Sequence, residues 1–182
     1  MVDYNVLREV LGLLKPFNYA FFSGMAMEVY TNGKRKANDI DILINKNEID
    51  KFAKLIGCKL FNRIIEKENY HSEDYGGETT FDGQGIELTS GFSRKRMQEN
   101  TIVKLFQKKV KVNYLGFEVY VVSIEELITH KAMMQRQKDV SDLEILKTMK
   151  YDLLLIRELA RDFGDEDKAV KFLVSLGYNL SG

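Results

Sequence analysis

Two hydrophobic periods run through this chain, and the switches between them mark its elements. Val6, Leu7, Val10, Leu11 and Leu14 recur at helical spacing, which predicts a helix over 3–15 that Pro16 stops. Residues 19–22 are a short apolar strand. Ser23-Gly24 turns the chain into a helix over 25–30, closed by Asn32-Gly33. A polar loop over 34–38 leads to a second strand at 39–44, then a helix at 48–56 ending at Gly57. Strands are predicted at 59–65, 79–81 and 86–89, with 66–77 polar and irregular. Gly76-Gly77 and Gly83-Gln84-Gly85 read as turns. Residues 101–106 and 108–113 alternate as a strand pair, and 117–122 is the last strand.

The texture changes at Ser123. Ser123-Ile-Glu-Glu126 is a capping-box pattern opening a helix to about 135, and further helices are predicted at 139–150, 151–163 and 165–176, the last two split at Gly164. The expected architecture is α/β (α+β): a mixed β-sheet flanked by helices over 1–122, with a C-terminal helical segment over 123–182 packed on it.

Composition mainly excludes. The 182 residues are 45% hydrophobic and 30% charged, enough for a core and unlike a disordered chain. The net charge is zero, so any polyanion contact has to come from a local patch. The lone Cys58 permits no intrachain disulfide and no cysteine zinc cluster; it reads as a small core residue. There is no signal-peptide pattern at the N-terminus and no apolar run of membrane-spanning length, so a soluble cytoplasmic protein is expected.

The chemistry lies in acids placed where a strand does not want them. Asp39 and Asp41 interrupt an apolar strand, and on a pleated strand they share one face, with Ile40, Ile42 and Ile44 on the other. Their Cα atoms are then about 6.5–7 Å apart, and like charges that close repel unless a cation lies between them. Oxygen ligands of this kind suit Mg²⁺ or Mn²⁺ rather than zinc. The plain alternative is a strand end with both acids in solvent. The surroundings favour the metal. Backbone N–H groups at Ser23-Gly24 can receive phosphate oxygens, and Lys34, Arg35 and Lys36 supply cations within reach. A third acid is expected on a neighbouring strand: Glu87, flanked by Ile86 and Leu88, with Asp82 in its turn-like setting as the competitor.

The stretch FFSGMAMEVYTNGKRKANDIDILI, with Glu87 beyond it, resembles the signature of the DNA polymerase β-like nucleotidyltransferase superfamily. The later run VVSIEELITHKAMMQRQKDVSDLEIL is similar to the small bacterial and archaeal nucleotidyltransferases, including the aminoglycoside, lincosamide and toxin–antitoxin types, through Lys131, Arg136-Gln-Lys-Asp139 and Asp142. Ser23-Gly24 stands where the family commonly has Gly-Gly or Gly-Ser. The resemblance implies a Mg²⁺-dependent (or Mn²⁺-dependent) nucleotidyltransferase moving a nucleoside monophosphate from an NTP to an acceptor hydroxyl or phosphate, with pyrophosphate released. The acceptor is a small molecule, an RNA or a protein. Asp39, Asp41 and Glu87 would be the metal ligands and catalytic acids. Ser23 and Gly24 would hold phosphates, and Arg35, Lys131 and Lys138 would contact ATP or another nucleotide. Asp139 is expected to cap a helix or pair with a cation.

Rival readings accompany each of these. Lys131 could be a solvated cation on an amphipathic helix, and Ser141 with Glu144 a rival helix start. His71 and His130 form no evident metal site or triad. The basic clusters at 93–96 and 108–111 read as solvated faces that keep an RNA acceptor open. Met25, Met27, Met133 and Met134 read as core or pocket wall. A toxin–antitoxin enzyme acting on tRNA or a partner protein, a homodimer, and a non-catalytic nucleotide- or partner-binding module of the same fold are the alternatives carried forward.

Overall fold

The computed structural model describes residues 1–67, 70–94, 108–163 and 166–179, with backbone alone at 63–67, 70–74 and 91–94. These residues form two compact units, one running to Val122 and the other starting at Ser123.

In the first unit, α1 (Tyr4–Leu14) is capped by Asp3, whose side chain accepts the Asn5 N–H. Then follow β1 (Tyr19–Phe21), α2 (Ser23–Tyr30), β2 (Ile40–Ile44) and α3 (Ile49–Leu55). An antiparallel meander comes next, β3 (Phe61–Lys67), β4 (Tyr70–Phe81) and β5 (Gln84–Arg94), and a hairpin of β6 (Val110–Tyr114) and β7 (Phe117–Val121) ends the unit. The sheet has seven strands in the order β3-β4-β5-β2-β1-β7-β6. The β2–β5 and β1–β7 pairs are parallel and the others antiparallel, so this is a mixed sheet.

The apolar pattern fixes which side of β2 is core. Ile40, Ile42 and Ile44 are fully buried and join Phe21, Ile86, Leu88, Val119 and Val121 in one cluster with Val6, Leu7, Val10 and Leu14 of α1 and Ile49 and Phe52 of α3. Burying an isoleucine is worth about 1.5–3 kcal/mol. A one-residue slip would put Asp41 and Leu43 on the core face in place of the isoleucines, so the register is locked.

The region over 66–77, expected to be irregular, is instead mostly strand. Tyr70–Phe81 pairs with β3 on one side and β5 on the other, so ladder partners on both edges satisfy a backbone that its polar sequence does not announce. Gly76 and Gly77 are not a turn. They lie within β4 beside a register shift, where a Cβ on Gly76 would stand 2.1 Å from the Leu88 carbonyl oxygen and one on Gly77 2.4 Å from that of Lys59. The close approach of β5 on one side and of the chain leading into β3 on the other is what requires glycine there. The β4–β5 turn sits one residue earlier than expected: Asp82 (φ +48°) and Gly83 (φ +79°) form the two-residue loop, and Gln84 and Gly85 already belong to β5. Asp82 is therefore a turn residue, as its sequence setting suggests. Strand 108–113 is realised as β6; residues 101–106 and 95–96 fall outside the described residues, as does the His71 side chain.

The second unit contains α4 (Ile124–Met134), α5 (Gln137–Leu146), α6 (Leu153–Asp162) and α7 (Glu166–Ser175). Ser123 caps α4 by accepting the Glu126 N–H, and Gln135 ends it in the left-handed conformation at φ +54°. The second helix starts earlier than 139, at Gln137, because the Asp139 carboxylate accepts the Arg136 backbone N–H and its guanidinium; the rival start at Ser141 is not used. Leu127, Ile128, Leu143, Leu146, Ile156, Leu159 and Leu173 are buried. Among the described residues no helix is long and apolar enough to cross a membrane.

Candidate active site

Asp41 lies at the centre of the sheet, 7% exposed, on the face opposite the isoleucines. The parallel β2–β5 register sets it directly beside Glu87, and the antiparallel β4–β5 register sets Glu78 beside Glu87. Residues directly paired across strands point to the same face, so three carboxylates run across three adjacent strands. Asp39 is exposed and lies one residue before β2 rather than within it. Its carboxylate instead sits over Gly85, where an added Cβ would come within 2.2 Å of Oδ1. Asp39, Glu87 and Glu78 line a cleft of about 540 Å³ with Thr79, Thr80, Gly85 and Ile86.

The turn from β1 into α2 is built onto Asp41. The Phe22 N–H donates to the Asp41 carbonyl at 3.2 Å, while the N–H groups of Gly24 and Met25 donate to Asp41 Oδ2 at 2.8 and 3.2 Å. The phosphate seat foreseen at Ser23-Gly24 is therefore the α2 N-terminus as expected, but its free amides are held by a carboxylate of the site itself. Ser23 makes the bend at φ +49°, a conformation that costs a non-glycine residue of order 1 kcal/mol. Burial pushes the Asp41 carboxyl up to about 7, the charge of Glu87 adds to this, the Met25 and Gly24 amides oppose it, and the charge of Asp39 contributes least.

Of the basic loop, Arg35 is the cation nearest this turn: its Nη1 would be 3.7 Å from a Cβ on Gly24. Its guanidinium donates to the Lys36 carbonyl at 2.5 Å and its N–H to Thr31 Oγ1 at 3.1 Å. Lys36 is turned away, onto Tyr4 and, at 3.5 Å, Glu28. Glu28 is fully buried and accepts from Tyr4 Oη, Tyr114 Oη and the Ala37 N–H at 2.9, 2.8 and 2.6 Å.

The structure thus brings Ser23, Gly24, Arg35, Asp39, Asp41 and Glu87 into one unit around one turn. Lys131 and Lys138 belong to the second unit. Lys131 is not a solvated cation: it is 2% exposed, with Nζ 2.6 Å from Asp142 and 3.5 Å from Asp139. Asp139 also takes Arg136 Nε at 2.7 Å and Nη2 at 3.1 Å and caps α5. Burial would raise the Asp139 carboxyl, but Arg136 and Lys131 together hold it below its ordinary value. Lys138 is exposed on the first turn of α5. Met25, Met27 and Met133 are core, whereas Met134 is 40% exposed. Cys58 is half-buried at the core edge.

All the acidic donors here are hard oxygens, and a cation between Asp41 and its acidic neighbours would relieve the repulsion that raises its carboxyl. The space that Gly85 leaves for Asp39 suits the same purpose. In the arrangement described, with Asp41 turned onto the α2 amides, no three acidic, histidine or cysteine side chains among the described residues stand close enough to enclose an ion.

An inferred nucleotidyltransferase of Thermotoga maritima superposes on this chain with a TM-score of 0.59 at 19% identity, over 78% of this chain and 90% of its own. The fold is that of the nucleotidyltransferases. An antigenic nucleotidyltransferase-like protein of Paracoccidioides brasiliensis aligns over 95% of this chain and 85% of its own, at 16% identity and a TM-score of 0.49. An inferred nucleotidyltransferase of Helicobacter pylori aligns over 96% and 91%, at 14% identity and a TM-score of 0.49. No protein-family model matches the sequence, and no curated protein matches it significantly. Within the nucleotidyltransferase fold seen here, Glu78 and Gly85 stand against the acids and Gln84 and Glu28 hold the segment that leads to Asp39, roles that no local pattern announces.

Proposed function

We propose that this chain transfers a nucleoside monophosphate from an NTP to an acceptor hydroxyl or phosphate, releasing pyrophosphate. The observation that carries the reading is the cross-strand pair Asp41–Glu87 with Asp39 beside it, at the N-terminus of α2. Asp39, Asp41 and Glu87 would hold Mg²⁺ or Mn²⁺. When bound, the metal supplies charge neutralisation at the attacking and leaving oxygens. The chain's own residues do the rest. Ser23 would hold β- and γ-phosphate oxygens at the positive end of α2, and the Gly24 and Met25 amides would join it only where Asp41 gives them up. Arg35 adds a cation at the same turn. Glu87, facing the cleft, takes the proton from an acceptor hydroxyl. Lys131 has its ammonium committed to Asp142 and Asp139, so its part is to fix the start of α5. Catalysis of this kind is mostly positioning.

Thermal unfolding with each NTP, with and without Mg²⁺, tests this on the wild type and Asp41→Ala. A Mg²⁺-dependent rise of several degrees, lost in the variant, is expected for at least one NTP. No rise with any NTP at millimolar concentration overturns the reading.

A further inference from the structure

The approach to Asp39 is tied down by residues from three distant parts of the chain. Gln84, 6% exposed, donates from Nε2 to the Asn38 carbonyl at 2.7 Å and accepts the Asp3 N–H on Oε1 at 2.9 Å. One residue earlier, Ala37 is held on both backbone groups: its N–H donates to Glu28 Oε2 at 2.6 Å, and its carbonyl accepts the Val2 N–H at 3.1 Å. Asp39 follows directly, with its carboxylate over Gly85, the residue after Gln84. Gln84 therefore ties the segment that delivers Asp39 to the strand that receives it.

We infer that Gln84 is a positioning residue, which seats the Asp39 carboxylate in the cleft by holding the Asn38 carbonyl. This rests on the reading of Asp39 as a metal ligand, and it assigns a role to a side chain with no ionisable group and no direct part in the chemistry. Ala37 and Asn38 leave Asp39 little freedom once both are fixed. A carboxylate on an exposed residue before a strand would otherwise sample several rotamers and pay their entropy on binding an ion. Groups that orient metal ligands commonly contribute 10–100-fold in metal affinity.

Gln84→Met keeps the length of the side chain and removes its hydrogen bonds to Asn38 and Asp3, along with the longer one from Nε2 to the Gly85 carbonyl at 3.3 Å. Two measurements test it. In crystals of Gln84→Met, the Asp39 carboxylate is expected to have left its place over Gly85; an unmoved Asp39 overturns the inference. In solution, Mn²⁺ uptake followed by electron paramagnetic resonance is expected to weaken about tenfold or more in Gln84→Met. Val10→Ala, a core variant of the same unit, is expected to unfold at lower temperature with wild-type Mn²⁺ affinity. An equal loss in both variants, or none in Gln84→Met, sinks the positioning role. If the wild type takes up no Mn²⁺, the proposed function falls, and the position of Asp39 in the two crystals still decides the role of Gln84.

Discussion

The Gly24 amide donates to Asp41 across 16 intervening residues, and this 2.8 Å contact makes the α2 N-terminus and the central carboxylate a single object. A partial positive charge at the helix end meets a carboxylate that burial would otherwise keep protonated. The amides lower the Asp41 carboxyl, and burial with Glu87 outweighs them.

The pH dependence of stability should follow from that balance. The folded chain holds a proton on Asp41 up to about 7, where an ordinary Asp releases it near 3.8. A raised value stabilises the fold fully below the unfolded value, and that stabilisation is lost as the pH rises through about 7. The full difference corresponds to roughly 4 kcal/mol as an upper figure. Asp41→Asn retains an acceptor for the amides and removes the titration. Urea unfolding at pH 4.5 and 8 should show the variant gaining on the wild type at the higher pH. Parallel changes in the two proteins would contradict the assignment.

Two glycines on neighbouring strands should respond differently to the same methyl group. In Gly76→Ala the new Cβ meets a backbone carbonyl that cannot step aside, and a loss of about 3 kcal/mol or more is expected. In Gly85→Ala it meets the end of the Asp39 side chain, which can swing away. Stability should change by about 1 kcal/mol or less while Mn²⁺ affinity falls. Calorimetry and metal titration on the two variants separate the outcomes, and comparable stability losses would show that Asp39 is not seated over Gly85.

The ion cluster of the second unit should be costly to break and inexpensive to replace. Lys131→Met leaves the buried Asp142 carboxylate without its 2.6 Å partner, which typically costs about 3–5 kcal/mol. Lys131→Met with Asp142→Leu removes both charges and should recover much of that loss. Denaturant unfolding of the single and double variants gives the comparison; a double variant no better than the single would mean that Asp139 and Arg136 depend on both partners.

The parts of the site that were legible are those that break a local rule. Asp39, Asp41 and Glu87 stand among isoleucines and leucines, where a carboxylate needs a reason, and Ser23-Gly24 interrupts a run of apolar residues. Glu78 breaks no such rule, since it lies in a polar stretch, and its place opposite Glu87 depends on the β4–β5 ladder. The same ladder explains why β4 was missed over 70–78: pairing on both sides, rather than composition, makes that segment a strand. The ion cluster of Lys131 has no local signal, because its two carboxylates lie eight and eleven residues away on another helix. Glu28 and Gln84 reach partners up to 86 and 81 positions away, beyond any local pattern.

The parallel pairing of β2 with β5 also bears on the order in which the chain can assemble. Asp41 and Glu87 meet only when a loop of some 46 residues closes, whereas the β4–β5 hairpin closes over a two-residue turn. Hairpins form in about 1–10 μs, and long-range parallel pairing is far slower. A refolding chain therefore acquires its helices and its β4–β5 hairpin, with Glu78 already opposite Glu87, before Asp41 meets Glu87, and the repulsion of that second pair enters only at the late step, where a divalent cation in the refolding buffer would speed the final phase.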